Sequence, residues 1–162
     1  MLIFYKYSGQ RPEFNIDTSD LEVKIEAPFV LNNPYYNSLK HKIRPMIWIV
    51  LSKIRRKYYK SYNLYKNGSI VSTSEVCENL FFFPFLGKNG IHIGPCDTLE
   101  SQRGKGYYPY LLRCIQNDFS KRDVYIIVDE NNRSSINGIR KAGFIEIGTG
   151  KKNKIGQYLI NK

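Results

Sequence analysis

One stretch of the chain shows how a strand, a loop and a helix are joined: residues 90–119 read GIHIGPCDTLESQRGKGYYPYLLRCIQNDF. Its first part has the character of an extended segment ending at Asp97-Thr98-Leu99, and Arg103-Gly104-Lys105-Gly106 then forms a glycine loop. In the helix predicted to follow, Gln116 is not part of the row of apolar positions. Those positions keep the spacing of one buried face: Tyr108, Leu111, Leu112, Ile115 and Phe119.

The glycine loop has the composition of an anion-binding cradle. Gly104 and Gly106 allow the backbone to turn tightly and to approach a ligand, and the helix start exposes N–H groups at the positive end of its dipole. Pro109 suits a first helical turn because it lacks a donor. The loop matches neither the P-loop pattern nor a dinucleotide fingerprint, whose third glycine is absent. An ordinary solvated turn is the alternative interpretation.

A second group of signals lies downstream. Residues 124–129, VYIIVD, read as a buried strand, and Glu130-Asn131-Asn132 then turns the chain. Ser134 or Ser135 is expected to cap a short helix that carries Ile136 and Ile139 inward. That helix is expected to end at Lys141-Ala142-Gly143, with glycine in the C′ position, before a strand that starts at Phe144.

Together these motifs resemble the GNAT (GCN-related) N-acetyltransferases. The loop Arg103-Gly104-Lys105-Gly106 precedes Asn132-x-x-Ser135 and Lys141-Ala142-Gly143-Phe144 in the order and spacing of that family. The resemblance covers residues 69–160 and is clearest there, whereas residues 1–60 diverge and would form the acceptor side. It implies an α+β fold: a mostly antiparallel twisted sheet with one parallel pair splayed into a V-shaped acyl-CoA cleft, flanked by helices. Residues 1–162 are expected to form one such domain.

The resemblance also implies a reaction and a donor site. It implies an N-acetyltransferase in which an amine attacks the thioester of acetyl-CoA directly, with no metal ion. Backbone groups of Thr98 and Leu99 would hold the pantetheine arm, and Asn132 would lie beside that arm. The implied pyrophosphate-binding residues are Arg103, Gly104, Lys105, Gly106, Tyr107 and Tyr108.

The chain departs from the family pattern at two positions. Tyr108 stands where the loop motif normally has a small residue, and Ile139 stands where the later motif has a tyrosine that often protonates the leaving thiolate. His92, at the start of the predicted strand, is the first candidate for the base, since its intrinsic pKa is near neutral. Asp97 is the next candidate, and Tyr158 could replace the missing acid. The alternative for His92 is a structural role, and the alternative for Asp97 is an outward surface charge.

Composition restricts the class of protein. A chain of 162 residues is long enough to bury a core without disulfides or metal. Cys77, Cys96 and Cys114 are odd in number and widely spaced, which argues against a disulfide framework and a zinc site and favours a reduced, cytoplasmic setting. The first residues lack the features of a signal peptide and read as a strand.

The net charge of +11 is concentrated between Glu26 and Glu75, a segment without acidic residues. Part of it is predicted to form a basic amphipathic helix near residues 39–57, either packed on the core with a solvated face or attracting an anionic acceptor or membrane surface. A basic module that binds nucleic acid or a membrane surface without catalysis is the competing class. Otherwise the partner is a small amine, with an amino sugar or sugar nucleotide preferred, and the protein is a monomer or homodimer.

The remaining elements complete the predicted order. Strands are expected at residues 2–7, 21–26, 61–65, 69–77, 91–99, 123–129, 144–148 and 156–160, and helices at 108–119 and 134–142. Lys66-Asn67-Gly68 signals a hairpin turn. The run Phe81-Phe82-Phe83-Pro84-Phe85 is expected to form a strand and bend on the sheet, with Pro84 restricting it to an edge or turn.

Overall fold

The computed structural model describes residues 1–13, 15–27, 58–78 and 81–161. Within these ranges the chain forms eight strands and two α-helices. The strands are β1 (Leu2–Tyr7), β2 (Leu21–Glu26), β3 (Tyr59–Lys66), β4 (Ser69–Cys77), β5 (Gly90–Thr98), β6 (Asp123–Asp129), β7 (Phe144–Lys152) and β8 (Tyr158–Asn161). The helices are α1 (Tyr107–Asp118) and α2 (Arg133–Lys141).

All eight strands belong to one sheet, in the order β2-β3-β4-β5-β6-β1-β7-β8. Every neighbouring pair is antiparallel except β5 and β6, which are parallel and are connected through α1. The predicted fold class, a mostly antiparallel sheet with one parallel pair, is therefore confirmed. The first strand does not lie at an edge: β1 is inserted between β6 and β7, which positions the N-terminal residues in the middle of the sheet.

The two parallel strands separate partway along their length. Residues Gly90–Ile93 of β5 pair with residues Asp123–Ile126 of β6, but within the described chain the rest of β5 pairs with β4 alone. A register shift between β4 and β5 lies at this point, opposite Gly94 and Pro95. An opening thus begins between β5 and β6 after Ile93, and it lies at the carboxyl ends of both strands, as the resemblance implied.

Apolar side chains pack on both faces of the sheet. The larger cluster lies under the two helices and includes Leu111, Leu112 and Ile139 together with inward residues of the central strands. A smaller cluster on the other face combines side chains of several strands with the segment before β5: Tyr59, Cys77, Phe83, Leu86 and Tyr125. Both faces are therefore covered at the centre of the sheet, whereas β2, β7 and β8 keep exposed side chains.

Several local predictions are confirmed. Asn67 and Gly68 both have positive φ angles, of 50° and 75°, as a tight turn between β3 and β4 requires. Gly143 follows α2 with a φ angle of 91° and donates its N–H to the carbonyl of Arg140, as its C′ position predicted.

No helix in the described part of the chain is long and apolar enough to cross a membrane.

Other local predictions need correction. Residues 81–85 form no strand: a turn leads into a 3-10 helix at Pro84–Leu86, because proline at its start fixes the backbone and removes a donor. Gln116 is buried rather than outward, since its amide donates to the Ala142 carbonyl at 3.1 Å. The helix predicted near residues 39–57 lies outside the described residues.

Candidate functional site

The loop that follows β5 is shaped by short-range hydrogen bonds. A 3-10 turn at Glu100–Gln102 closes when the Gln102 N–H donates to the Leu99 carbonyl at 2.8 Å. The Arg103 N–H then donates to the Glu100 carbonyl at 3.2 Å. After Arg103 the chain turns through Gly104 and Gly106, which have φ angles of 80° and 83°, and α1 begins at Tyr107.

At the start of α1, the backbone N–H groups of Gly106, Tyr107 and Tyr108 take no part in the hydrogen bonds of the helix. Gly106 is the N-cap of α1, and its carbonyl accepts the first intrahelical bond, from the Tyr110 N–H at 3.1 Å. Because the next residue, Pro109, carries no N–H, the unpaired donors end there. A run of three such N–H groups at the positive end of a helix dipole is a site for an anion such as a phosphate.

Three cationic side chains lie near this loop, and each is engaged by a neighbouring group. Arg103 turns back toward the end of β5, where its Nε donates to the Thr98 carbonyl at 3.1 Å and its Nη2 lies 3.7 Å from the Asp97 carboxylate. The Lys105 Nζ donates to Gln102 at 2.8 Å. A cation that sequence reasoning missed, Lys66, reaches from β3 to donate to the Tyr107 hydroxyl at 3.0 Å.

The predicted pantetheine-binding backbone at the end of β5 is partly engaged within the protein. The Leu99 N–H donates to the Val71 carbonyl at 3.0 Å, and the Thr98 N–H donates to the Asp97 carboxylate at 2.7 Å. Asp97, a predicted catalytic candidate, is 43% exposed and binds groups of the loop and strand end. Its observed contacts are those of a residue that shapes the loop.

Tyr108 occupies the space between the two helices beside the loop. It is half-buried, and its ring lies so close to Gly138 of α2 that a Cβ atom there would stand 2.5 Å from Cδ1 of Tyr108. Its hydroxyl lies within hydrogen-bonding reach of the Cys96 thiol on β5. Burial, aided by that thiol, raises the pKa of Tyr108 well above its ordinary value.

Asn132 stands at the opposite wall of the opening, after the end of β6. Its side-chain oxygen accepts a hydrogen bond from the Ser135 N–H at 3.1 Å and another from the Ser134 hydroxyl at 3.0 Å. Asn132 is therefore the N-cap of α2, and the prediction that Ser134 or Ser135 caps this helix is wrong. The Asn132 amide nitrogen is the group that remains for a ligand.

Two predicted catalytic residues are brought together by a third ring. The His92 ring stacks on Phe83 with centroids 4.0 Å apart, and Tyr158 stacks on the same ring at 5.1 Å. His92 is buried and Tyr158 half-buried, on the face of the sheet away from the helices. Ile139, in the position of the family tyrosine, is fully buried under the helices and contributes to the core.

A group of buried polar side chains on the same face was not found from the sequence. Glu75 on β4 is 7% exposed and accepts a hydrogen bond from the Tyr59 hydroxyl at 2.6 Å. Beside it, the side-chain oxygen of Asn63 accepts from Thr73 at 2.6 Å and from Ser61 at 3.0 Å. Strand alternation within YKSYNLYK and SIVSTSEVC could have indicated that these polar residues share a face.

No protein-family model and no curated protein matches this chain. Solved structures do match. An acetyltransferase of the GNAT family from Colwellia psychrerythraea aligns with 90% of this chain at a TM-score of 0.63 and 12% identity, covering 52% of its own length. A protein of the same family from Novosphingobium aromaticivorans aligns over 90% of this chain at 0.52 and 15% identity, covering 59% of its own length.

A third match is a conserved Staphylococcus epidermidis protein of unknown function, with a TM-score of 0.58, 13% identity and coverage of 90% of this chain and 57% of its own. The chain thus spans between half and three-fifths of the length of these structures. At such identities the likeness shows the fold. The chain has the fold of the GNAT acetyltransferases, as its motifs indicated.

Proposed function

We propose that this protein is an acyl-CoA-dependent N-acyltransferase that moves an acetyl group from acetyl-CoA to an amine. The observation that carries the proposal is the run of N–H groups at residues 106–108 that α1 does not use, which follows the glycine loop at the opening between β5 and β6. The GNAT fold supports it, because the anion-binding loop and the splayed strands occur together in one structure.

In this proposal the pyrophosphate of acetyl-CoA is held by the N–H groups of residues 104–108. Arg103, Lys105 and Lys66 add positive charge near the loop and favour an anionic donor. The pantetheine arm would follow the open edge of β5 toward the point where β5 and β6 separate, and there the side-chain amide of Asn132 can contact it. Since Tyr108 stands between the helices, its ring would form one wall of that path.

The transfer itself requires a neutral amine to attack the thioester carbon. The new N–C bond forms, the C–S bond breaks with its electron pair on sulfur, and the amine gives up a proton. The thiol of coenzyme A has a pKa of about 8.5 and leaves readily as a thiolate, so an acid catalyst helps without being indispensable. His92 and Tyr158 remain candidates for moving protons, and both rings stack on Phe83.

The described aromatic residues favour this proposal over nucleic-acid binding. Phe81 is the only aromatic side chain that is exposed in the described ranges, whereas stacking on single-stranded bases needs several accessible rings.

For the acceptor, we propose a hydroxylated amine such as an amino sugar. The hydroxyls of Ser61 and Thr73 are buried and donate to the Asn63 side chain, so the choice of amine is tested by screening acceptors for thiol release.

Calorimetric titration with acetyl-CoA tests the proposal, and two glycine variants locate the site. Gly106→Val places a branched side chain over the loop donors, whereas Gly68→Val imposes comparable backbone strain, at a φ angle of 75°, in open space at the β3–β4 turn. We expect Gly106→Val to weaken binding by more than about tenfold and Gly68→Val to bind normally. No heat with acetyl-CoA in the wild-type protein would overturn the proposal.

A further inference from the structure

Glu75 differs from the other described acidic residues in its surroundings. It lies in the middle of β4, is 7% exposed, and is held by the hydroxyl of Tyr59 on the neighbouring strand at 2.6 Å. Burial raises the pKa of the Glu75 carboxyl to about 8. A buried carboxyl with a pKa near neutrality is costly to keep, and such groups are concentrated at functional sites.

The position of Glu75 coincides with the start of the opening. On β5, Ile93 pairs with Val76 and Cys96 pairs with Ser74, so Glu75 faces the irregular backbone at Gly94 and Pro95. That is the place where β5 leaves β6. Glu75 is also close enough to Cys96 for its charge to raise the pKa of that thiol, which burial already raises. A thioester at the splay would therefore lie near the carboxyl of Glu75.

We propose that Glu75 accepts the proton of the acceptor amine and that Tyr59 positions its carboxylate; the inference rests on the proposed acyl transfer. As the amine nitrogen bonds to the thioester carbon, the C–S electron pair passes to sulfur. The nitrogen proton passes to the Glu75 carboxylate and from there to solvent, and the products are the amide and coenzyme A.

The titratable groups near Glu75 influence how it titrates. Those on the same face include Tyr59 from β3, Cys77 from its own strand and His92 from β5. The Cys96 thiol, whose pKa the charge of Glu75 also raises, contacts Ser74 and Tyr108 instead. Cys77 pairs directly with His92, so His92 lies one step along the same face, with its ring over Gly94. His92 is therefore the competing proton acceptor, and the two must be tested side by side.

The experiment compares the wild-type protein with Glu75→Gln, Tyr59→Phe and His92→Asn. Acetyl-CoA binding is measured by calorimetry, and thiol release from acetyl-CoA is measured with glucosamine, spermidine and a lysine peptide between about pH 6 and pH 10. For the wild type we expect kcat at saturating amine to rise with pH to a plateau, with an apparent pKa of about 8, because the ionised carboxylate is the active form. The parameter kcat is used because ionisation of the free amine enters kcat/KM.

Glu75→Gln should lower kcat by roughly 100- to 10,000-fold while acetyl-CoA binds normally. Tyr59→Phe should keep the plateau but move the rise to higher pH, because the hydrogen bond that stabilises the carboxylate is lost. Two results would overturn the assignment and leave the proposed function intact. In the first, Glu75→Gln has the turnover and the pH profile of the wild type. In the second, His92→Asn is the one variant whose activity no longer rises with pH.

Two further results are also decisive. If acetyl-CoA binds but no amine releases thiol, the donor site stands and the role of Glu75 is rejected together with transfer to these amines. If acetyl-CoA does not bind to the wild-type protein, the proposed function itself fails. Circular dichroism of each variant verifies that it is folded.

Discussion

The Tyr108 ring packs directly on Gly138: a Cβ atom at Gly138 would stand 2.5 Å from Cδ1 and 2.9 Å from Cε1 of that ring. Real Cβ contacts are never so short, so the bulky Tyr108 side chain in the first turn of α1 requires glycine on the facing helix. This relationship explains how the chain tolerates tyrosine in a position where the resembling family has a small residue. The first turn of α1 thus packs directly on α2 beside the loop.

A double-mutant cycle tests this coupling. In an otherwise wild-type chain, Gly138→Ala should reduce the free energy of unfolding by about 1–3 kcal/mol, because the ring must shift. In a Tyr108→Ala background the same change should be neutral or stabilising by up to about 1 kcal/mol, since alanine favours a helix interior over glycine. Urea unfolding measures both values. Equal effects in the two backgrounds would show that the two residues are not coupled.

Asn132 combines two roles that substitution can separate. Asn132→Ala removes the cap of α2 and should cost about 1 kcal/mol of stability. Asn132→Asp retains an oxygen for the Ser135 N–H but lacks the amide donor. If that donor binds the pantetheine arm, both variants weaken acetyl-CoA binding while only the alanine variant is less stable. Normal binding in Asn132→Asp would restrict the residue to capping.

The buried carboxyl of Glu75 predicts a pH-dependent stability. Its pKa in the folded protein, about 8, is above the unfolded reference of 4.5, so between these values the folded state holds a proton that the unfolded state has lost. Its contribution to stability is therefore complete at low pH and is lost as pH rises through about 8.

Glu75→Gln is neutral at every pH and serves as the reference for this effect. Its free energy of unfolding, relative to wild type, should increase from about pH 5 to pH 8, by at most about 1.4 kcal/mol per pH unit, and then level off. Denaturant unfolding of both proteins across this range provides the measurement. A constant difference would mean that the carboxyl has no raised pKa.

Much of the fold was predictable because its signals are local. The glycine loop, Pro109 and the helical spacing after it identified β5 and α1, and Asn67-Gly68 identified the β3–β4 hairpin. The insertion of β1 between β6 and β7 was not predictable, since strand order depends on pairings distant in sequence. The alternation of side chains along a strand does not by itself show which face of that strand is buried.

The site was predictable to a similar degree. The anion-binding loop followed from glycine and proline chemistry, because backbone donors at a helix start need no particular side chain. Glu75 was missed because a glutamate in a polar strand usually faces solvent, and only the register of β3, β4 and β5 shows that it is buried at the splay. Likewise, the shared contact of His92 and Tyr158 with Phe83 depends on a turn far from either residue in sequence.

The most direct test of the account is the response of the loop amides to the donor. In 15N–1H NMR spectra of the labelled protein, addition of acetyl-CoA should shift the amide signals of residues 104–108 more than those of the β3–β4 turn at Asn67 and Gly68. Desulfo-CoA, which retains the pyrophosphate, should produce the same shifts. Loop signals that do not move while acetyl-CoA binds elsewhere, or that do not move at any concentration, would contradict the account.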